Sequence, residues 1–141
     1  MFRSPRSAPA ELKETASFKQ YIDFYTERVG LSENKLALCA RLYQQRLNKI
    51  SNGKIKNANI ETLVCICLPL GLDVTEAKDL LARYERSFSP AKPIHTVYLE
   101  LIEIYSERDI DYSHLEDILD YADEYLIEHG YHPLPDICSE K

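Results

Sequence analysis

Apolar residues recur at spacings of three and four along most of this 141-residue chain, and no stretch alternates with period two long enough to make a strand. A chain patterned this way buries its apolar stripes by packing helix on helix. Phe18, Tyr21, Ile22, Tyr25 and Val29 predict a first helix that begins at Ser17, where Gln20 completes capping-box spacing, and stops at Gly30. Ser32 suits the cap of a short second helix that turns Leu36, Ala37 and Ala40 inward. After Leu42 a third helical segment puts Tyr43, Leu47 and Ile50 on its inner side and ends at Ser51-Asn52-Gly53, with Gly53 free to take positive φ. Asn59 caps a fourth helix with Ile60, Leu63, Val64 and Cys67 inward, and Pro69 ends it.

A fifth helix, roughly Val74–Arg86, is expected to bury Ala77, Leu80, Leu81 and Tyr84. The Pro- and Ser-containing stretch 87–93 reads as a boundary. Beyond it Ile94, Val97, Tyr98, Leu101, Ile102 and Tyr105 form another helical stripe. Ser113 and Glu116 have capping-box spacing and open a last helix with Leu115, Ile118, Leu119, Ala122 and Leu126 on one face, closed by Gly130 and Pro133. The expectation is all-α, with about seven helices. Residues 1–16 are expected to form a flexible arm, 17–88 the main domain and 89–141 a C-terminal helical extension.

Charge separates the last two regions. Residues 1–96 hold 15 Lys/Arg against 10 Asp/Glu, whereas residues 97–141 hold 2 against 13. Within the basic part no acid occurs from Lys35 to Ile60, a span that carries Lys35, Arg41, Arg46, Lys49, Lys54 and Lys56. A basic surface joined to an acidic tail predicts unlike partners at the two ends. The net charge of −6 therefore leaves nucleic acid open as a partner.

Other classes are disfavoured. No apolar run reaches the roughly 20 residues of a membrane span, and no apolar stretch follows Arg3 and Arg6 as in a secretory signal, so the expected location is the cytoplasm, with no membrane partner. Cys39, Cys65, Cys67 and Cys138 lack zinc-like spacing and are expected to be reduced. His129 and His132 straddle a helix end beside Glu128, which predicts an ordinary terminus and no metal. There is no Ser/His/Asp spacing and no glycine-rich phosphate loop, with only four glycines in all. No enzyme activity and no cofactor are expected.

The segment GLSENKLALCARLYQQRLNKISNG, Gly30–Gly53, resembles the phage-repressor-like (Cro-type) helix-turn-helix family without a gap. Leu31, Ser32, Leu36, Ala37, Leu42, Leu47, Ile50 and Gly53 stand at matching places, and NIETLVCICLPLGL, Asn59–Leu72, is similar to the family's fourth helix. Residues Leu72–Ser89 and the helix after them resemble extended relatives from prophage and bacterial defence-associated proteins. The resemblance implies a five-helix repressor-like domain followed by a small C-terminal extension. It also implies a sequence-specific transcriptional regulator, a repressor among the possibilities, of bacterial or phage type.

Such a regulator sets one helix in the major groove of double-stranded DNA and works as a homodimer reading two half-sites. On that scheme Gln44, Gln45, Asn48 and Lys49 contact base edges, because amides pair with adenine and a cation reaches guanine. Ser32, Lys35, Arg46, Asn52, Lys54 and Lys56 contact phosphates, which set register. Three positions depart from the family's pattern: Arg41 replaces a turn glycine, Glu33 a glutamine near phosphate, and Tyr43 a small hydroxyl cap. With the acidic C-terminal helices, these departures support an alternative, a protein-interaction module that keeps the scaffold without binding DNA.

Overall fold

The computed structural model describes residues 12–137. The arm expected over 1–16 lies outside the described residues as far as residue 11, and so does Cys138. Among the described residues there are seven α-helices and no strand: α1 (Phe18–Val29), α2 (Glu33–Cys39), α3 (Gln44–Ser51), α4 (Ile60–Cys67), α5 (Val74–Arg83), α6 (Pro93–Ser106) and α7 (Asp120–Glu128). A 3-10 turn, Leu115–Asp117, precedes α7.

Local chemistry sets the starts. The Ser17 hydroxyl accepts the Gln20 N–H at 3.2 Å while Gln20 Oε1 accepts the Ser17 N–H at 2.8 Å, the reciprocal cap read from the spacing. Asp73 and Glu76 build a second capping box at the start of α5. Pro93 opens α6, where its missing N–H costs nothing.

Most ends share one device, a left-handed residue beyond the helix; α6, capped at Glu107 with φ −98, does not. The four glycines all take positive φ next to helix ends, and two other residues join them: Arg41 (φ 60) after α2 and Glu85 (φ 59) after α5. At Arg41 the closing bonds run from Leu42 N–H to the Ala37 carbonyl (2.9 Å) and from Arg41 N–H to the Leu38 carbonyl (3.3 Å). Glu85 closes α5 in the same pattern, with Arg86 N–H on the Leu81 carbonyl. That is why α5 stops at Arg83 and does not run to Arg86 as the apolar spacing implied.

The last helix also departs from expectation. Ser113 caps nothing: its N–H and hydroxyl both bond to Asp111 Oδ1, a local turn that competes with helix formation. The stripe Leu115–Leu126 is therefore split between the 3-10 turn and α7.

The core centres on α4, whose residues from Thr62 to Cys67 are all buried. Helices α2 and α6 pack against it, α1 packs on α3 and α5, and α7 packs on α6. The buried apolar cluster runs from Ala16 to Leu134 and continues across residues 88 and 89, so α6 and α7 share one interior with α1–α5. Half-buried charges tie the outer elements together. Arg28 grips Glu76 with two bonds of 2.6 and 3.1 Å, joining α1 to α5. Arg83 bonds Asp79, the Tyr21 hydroxyl and the carbonyls of Glu14 and Ala16.

Two buried tyrosines pin loops by one mechanism. The Tyr84 hydroxyl donates to the Ile55 carbonyl (2.6 Å) and accepts the Ala58 N–H (3.2 Å), fixing the segment after α3. The Tyr105 hydroxyl donates to the Ile118 carbonyl (2.6 Å) and accepts the Ala122 N–H (3.1 Å), fixing the entry to α7. No helix among the described residues is long and apolar enough to cross a membrane.

Candidate nucleic-acid interface

Helix α3 is held from beneath by Leu47 and Ile50, both at 0% exposure, with Leu42 buried just before it. Those anchors leave the other side open: Gln44, Gln45, Asn48, Lys49 and Asn52 are all exposed. Ala37, buried in α2, lets α2 and α3 pack closely. Gln44, Gln45, Asn48 and Lys49, expected at base edges, thus share one solvent-facing strip about two turns long.

Tyr43 is a correction. It was expected to face inward with Leu47 and Ile50, yet it is 53% exposed. The reason is its backbone: Tyr43 is the N-cap of α3 in extended conformation (φ −66, ψ 144), so helical periodicity does not reach it. Its side chain makes no capping bond to α3.

The residues assigned to phosphate fall into four groups. Ser32 and Lys35 stand exposed at the start of α2, where the Ser32 hydroxyl accepts the Lys35 N–H at 3.1 Å. Asn52 and Lys54 follow α3, tied by the Lys54 N–H on Asn52 Oδ1 at 3.0 Å, and both are exposed. Lys56 is exposed at the mouth of a cleft on the side of α1 and α5. Arg46 differs from these: it is half-buried and its Nε is enclosed with no hydrogen-bond partner.

A ladder of amides crosses the strip. Asn48 Nδ2 donates to Glu33 Oε1 at 3.2 Å, and Asn52 Nδ2 donates to Asn48 Oδ1 at 3.2 Å. Glu33 therefore occupies the donor end of Asn48 in the free protein. A base edge that claims Asn48 must displace that bond.

Beside the strip, the acidic C-terminal part reaches back to the turn between α2 and α3. Arg41 is only 12% exposed at its side chain and meets Asp123 at 2.8 Å and Asp120 at 3.1 Å, both on α7. Burial works against the Arg41 charge, but the Asp123 bond and charge outweigh it, so its pKa lies above the ordinary arginine value. The second oxygen of Asp123 accepts the Leu134 N–H at 2.9 Å. The 3-10 turn packs on α2, which sets Glu116 and Asp117 near the exposed Leu38. Sequence spacing gave no sign of these pairings, because nothing local relates residue 41 to residues 79 and 82 positions further on.

The other candidate groups among the described residues are quiet. Cys39, Cys65 and Cys67 are free and buried; burial pushes the Cys39 thiol up to about 11 and the Cys67 thiol up to about 12, and that of Cys65 higher still despite Arg41 nearby. Such thiols stay protonated and unreactive. Among the described residues no group of three or more His, Cys, Asp or Glu is placed to hold a metal ion. His129 stacks on Tyr125, ring centres 4.2 Å apart, and its Nδ1 lies 2.7 Å from the Tyr125 carbonyl oxygen, which accounts for it as part of a helix end.

Comparison of the chain with protein-family models, with curated proteins and with solved structures finds no match.

Proposed function

We propose that this protein is a sequence-specific DNA-binding regulator of the phage-repressor-like helix-turn-helix type, acting as a homodimer with α3 in the major groove. One observation carries the reading: Gln44, Gln45, Asn48 and Lys49 face solvent on the side of α3 opposite Leu47 and Ile50, which are fully enclosed. A rod with that division is anchored by its apolar side and offers amides and a cation to base edges. The lysines at 35, 54 and 56 supply charge for the flanking phosphates.

Selection of bound duplexes from a random pool should recover a site with two half-sites about one helical turn apart. Replacing Gln44, Asn48 and Lys49 together by Ala should weaken binding to that site by roughly a hundredfold or more, with unchanged helical content, since each good base contact is worth about 1–3 kcal/mol. Equal binding by wild type and triple variant contradicts the proposal.

A second reading, a protein-interaction module on the same scaffold, draws on the Glu33–Asn48 bond and on the acidic turn and helix packed beside α2 and its turn. On that reading the acidic C-terminal helices, α6 and α7, take a basic protein partner. It predicts that no duplex is retained even at low salt, which the same selection reads out.

A further inference from the structure

On the flank of the molecule, between the start of α1, the last turn of α3 and the end of α5, lies an open cleft of about 580 Å³. That volume is within the roughly 300–1,000 Å³ typical of small-ligand sites. Its apolar wall is the ring pair Phe18 and Tyr84, with centroids 5.0 Å apart. Its polar lining includes four cations, Lys19, Lys56, Arg83 and Arg86, against the single carboxylate of Glu85.

The cations are not equivalent. Arg83 spends its donors on Asp79, Tyr21 and two backbone carbonyls, and serves as wall. Arg86 gives only its Nε, to the Ala58 carbonyl. Lys19 holds Asp23 in an exposed pair at 3.4 Å, loose enough to swing. Lys56 is exposed with no ion pair among the described residues. Two features point further to an anion. The first-turn N–H groups of α1 face no intrahelical acceptor, and the Ser17–Gln20 box satisfies only part of that set. Ser51, 4% exposed and lining the cleft, has a hydroxyl with no hydrogen-bond partner. An enclosed hydroxyl left without a partner is costly unless something supplies one.

We propose that this cleft is a phosphate-binding site, with Lys19, Lys56 and Arg86 around the phosphate, the Ser51 hydroxyl donating to it, and Phe18 and Tyr84 against the apolar part of its bearer. Phosphate reaches the site either on a free ester or on the backbone of bound duplex. Glu85 at the rim opposes the anion. This inference goes beyond the base-reading strip: Lys19, Ser51, Glu85 and Arg86 belong to no part of it.

Calorimetric titration of the full chain with inorganic phosphate and with adenosine monophosphate tests it, beside anisotropy with a duplex pool. Wild type should bind the free probes saturably; Lys19→Ala and Lys56→Ala should each weaken binding about fivefold or more, and Glu85→Gln should tighten it by about the same factor. If only duplex affinity responds to Lys19→Ala and Glu85→Gln, in those same opposite directions, the phosphate is that of the DNA backbone. No saturable binding of either free probe, together with duplex affinity indifferent to both variants or absent, overturns the site. Free-probe binding that follows the variants upholds it even if no duplex is bound, so its fate is separable from that of the DNA reading. Circular dichroism of each variant checks that the helices are intact.

Discussion

Arg41 holds a left-handed backbone at φ 60, a conformation in which a Cβ crowds the following carbonyl at a cost of about 1–2 kcal/mol. Glycine avoids that cost, so the retention of a long side chain needs another reason. The guanidinium supplies it by spanning from the turn before α3 to Asp123 and Asp120 on α7. The Asp120 arm, 62% exposed, adds little, whereas the Asp123 arm is half-buried and counts for more. Arg41→Ala keeps the strain and loses the tether, and should destabilise the fold by about 1–3 kcal/mol in urea unfolding. Arg41→Gly relaxes the backbone and should recover roughly 1 kcal/mol of that loss. Equal losses for the two would mean that the left-handed turn carries no strain. The arginine at this turn was visible in the sequence; its partners were not, because an ion pair across some eighty residues leaves no periodic trace.

Helices were the most legible level. The stripes from Phe18 to Val29 and from Ile94 to Tyr105 correspond to α1 and α6, and the Ser17, Ser32 and Asn59 caps are formed as read. Legibility failed where a local side chain or an extended residue broke the period: Asp111 claims Ser113, Tyr43 lies outside α3, and Glu85 closes α5 early. The loops between helices were not legible, since tyrosine hydroxyls fix them from distant positions. Tyr84→Phe and Tyr105→Phe each leave a backbone carbonyl and an N–H without that partner. Each should cost about 1–3 kcal/mol. Amide exchange should also speed up at Ala58 in the first variant and at Ala122 in the second. Exchange unchanged at both sites would remove the pinning role.

For the whole molecule, the acidic extension proves to be built into the fold: α6 and α7 share the interior with α1–α5, and α7 holds the turn before α3. The charge asymmetry was plain in the sequence, but the folding of one sign against the other was not. Acid should loosen this assembly first at His95, which is buried at the start of α6 with Nδ1 accepting the Ser89 N–H at 2.8 Å. Burial, then Lys92, hold its pKa below the ordinary 6.5, with Glu61 opposing. The unfolded ring takes up a proton from about pH 6.5 downward while the folded ring stays neutral, so stability is full above that value and falls on acidification. The melting temperature of wild type should fall between about pH 7.5 and 5.5, and His95→Gln should flatten that dependence. Equal slopes would clear His95 of the effect.

The outer strip of α3 meets its most direct test in fluorescence anisotropy of the full chain with a labelled duplex pool across increasing salt. Lys49 lies on the strip, and Lys35, Lys54 and Lys56 are exposed on the segments before and after α3. Binding at low salt should therefore weaken linearly on logarithmic axes with a slope of roughly −3 to −4, about −0.9 for each phosphate neutralised. Absence of binding at about 50 mM salt, or an affinity that salt leaves unchanged, would contradict a role for α3 in the groove.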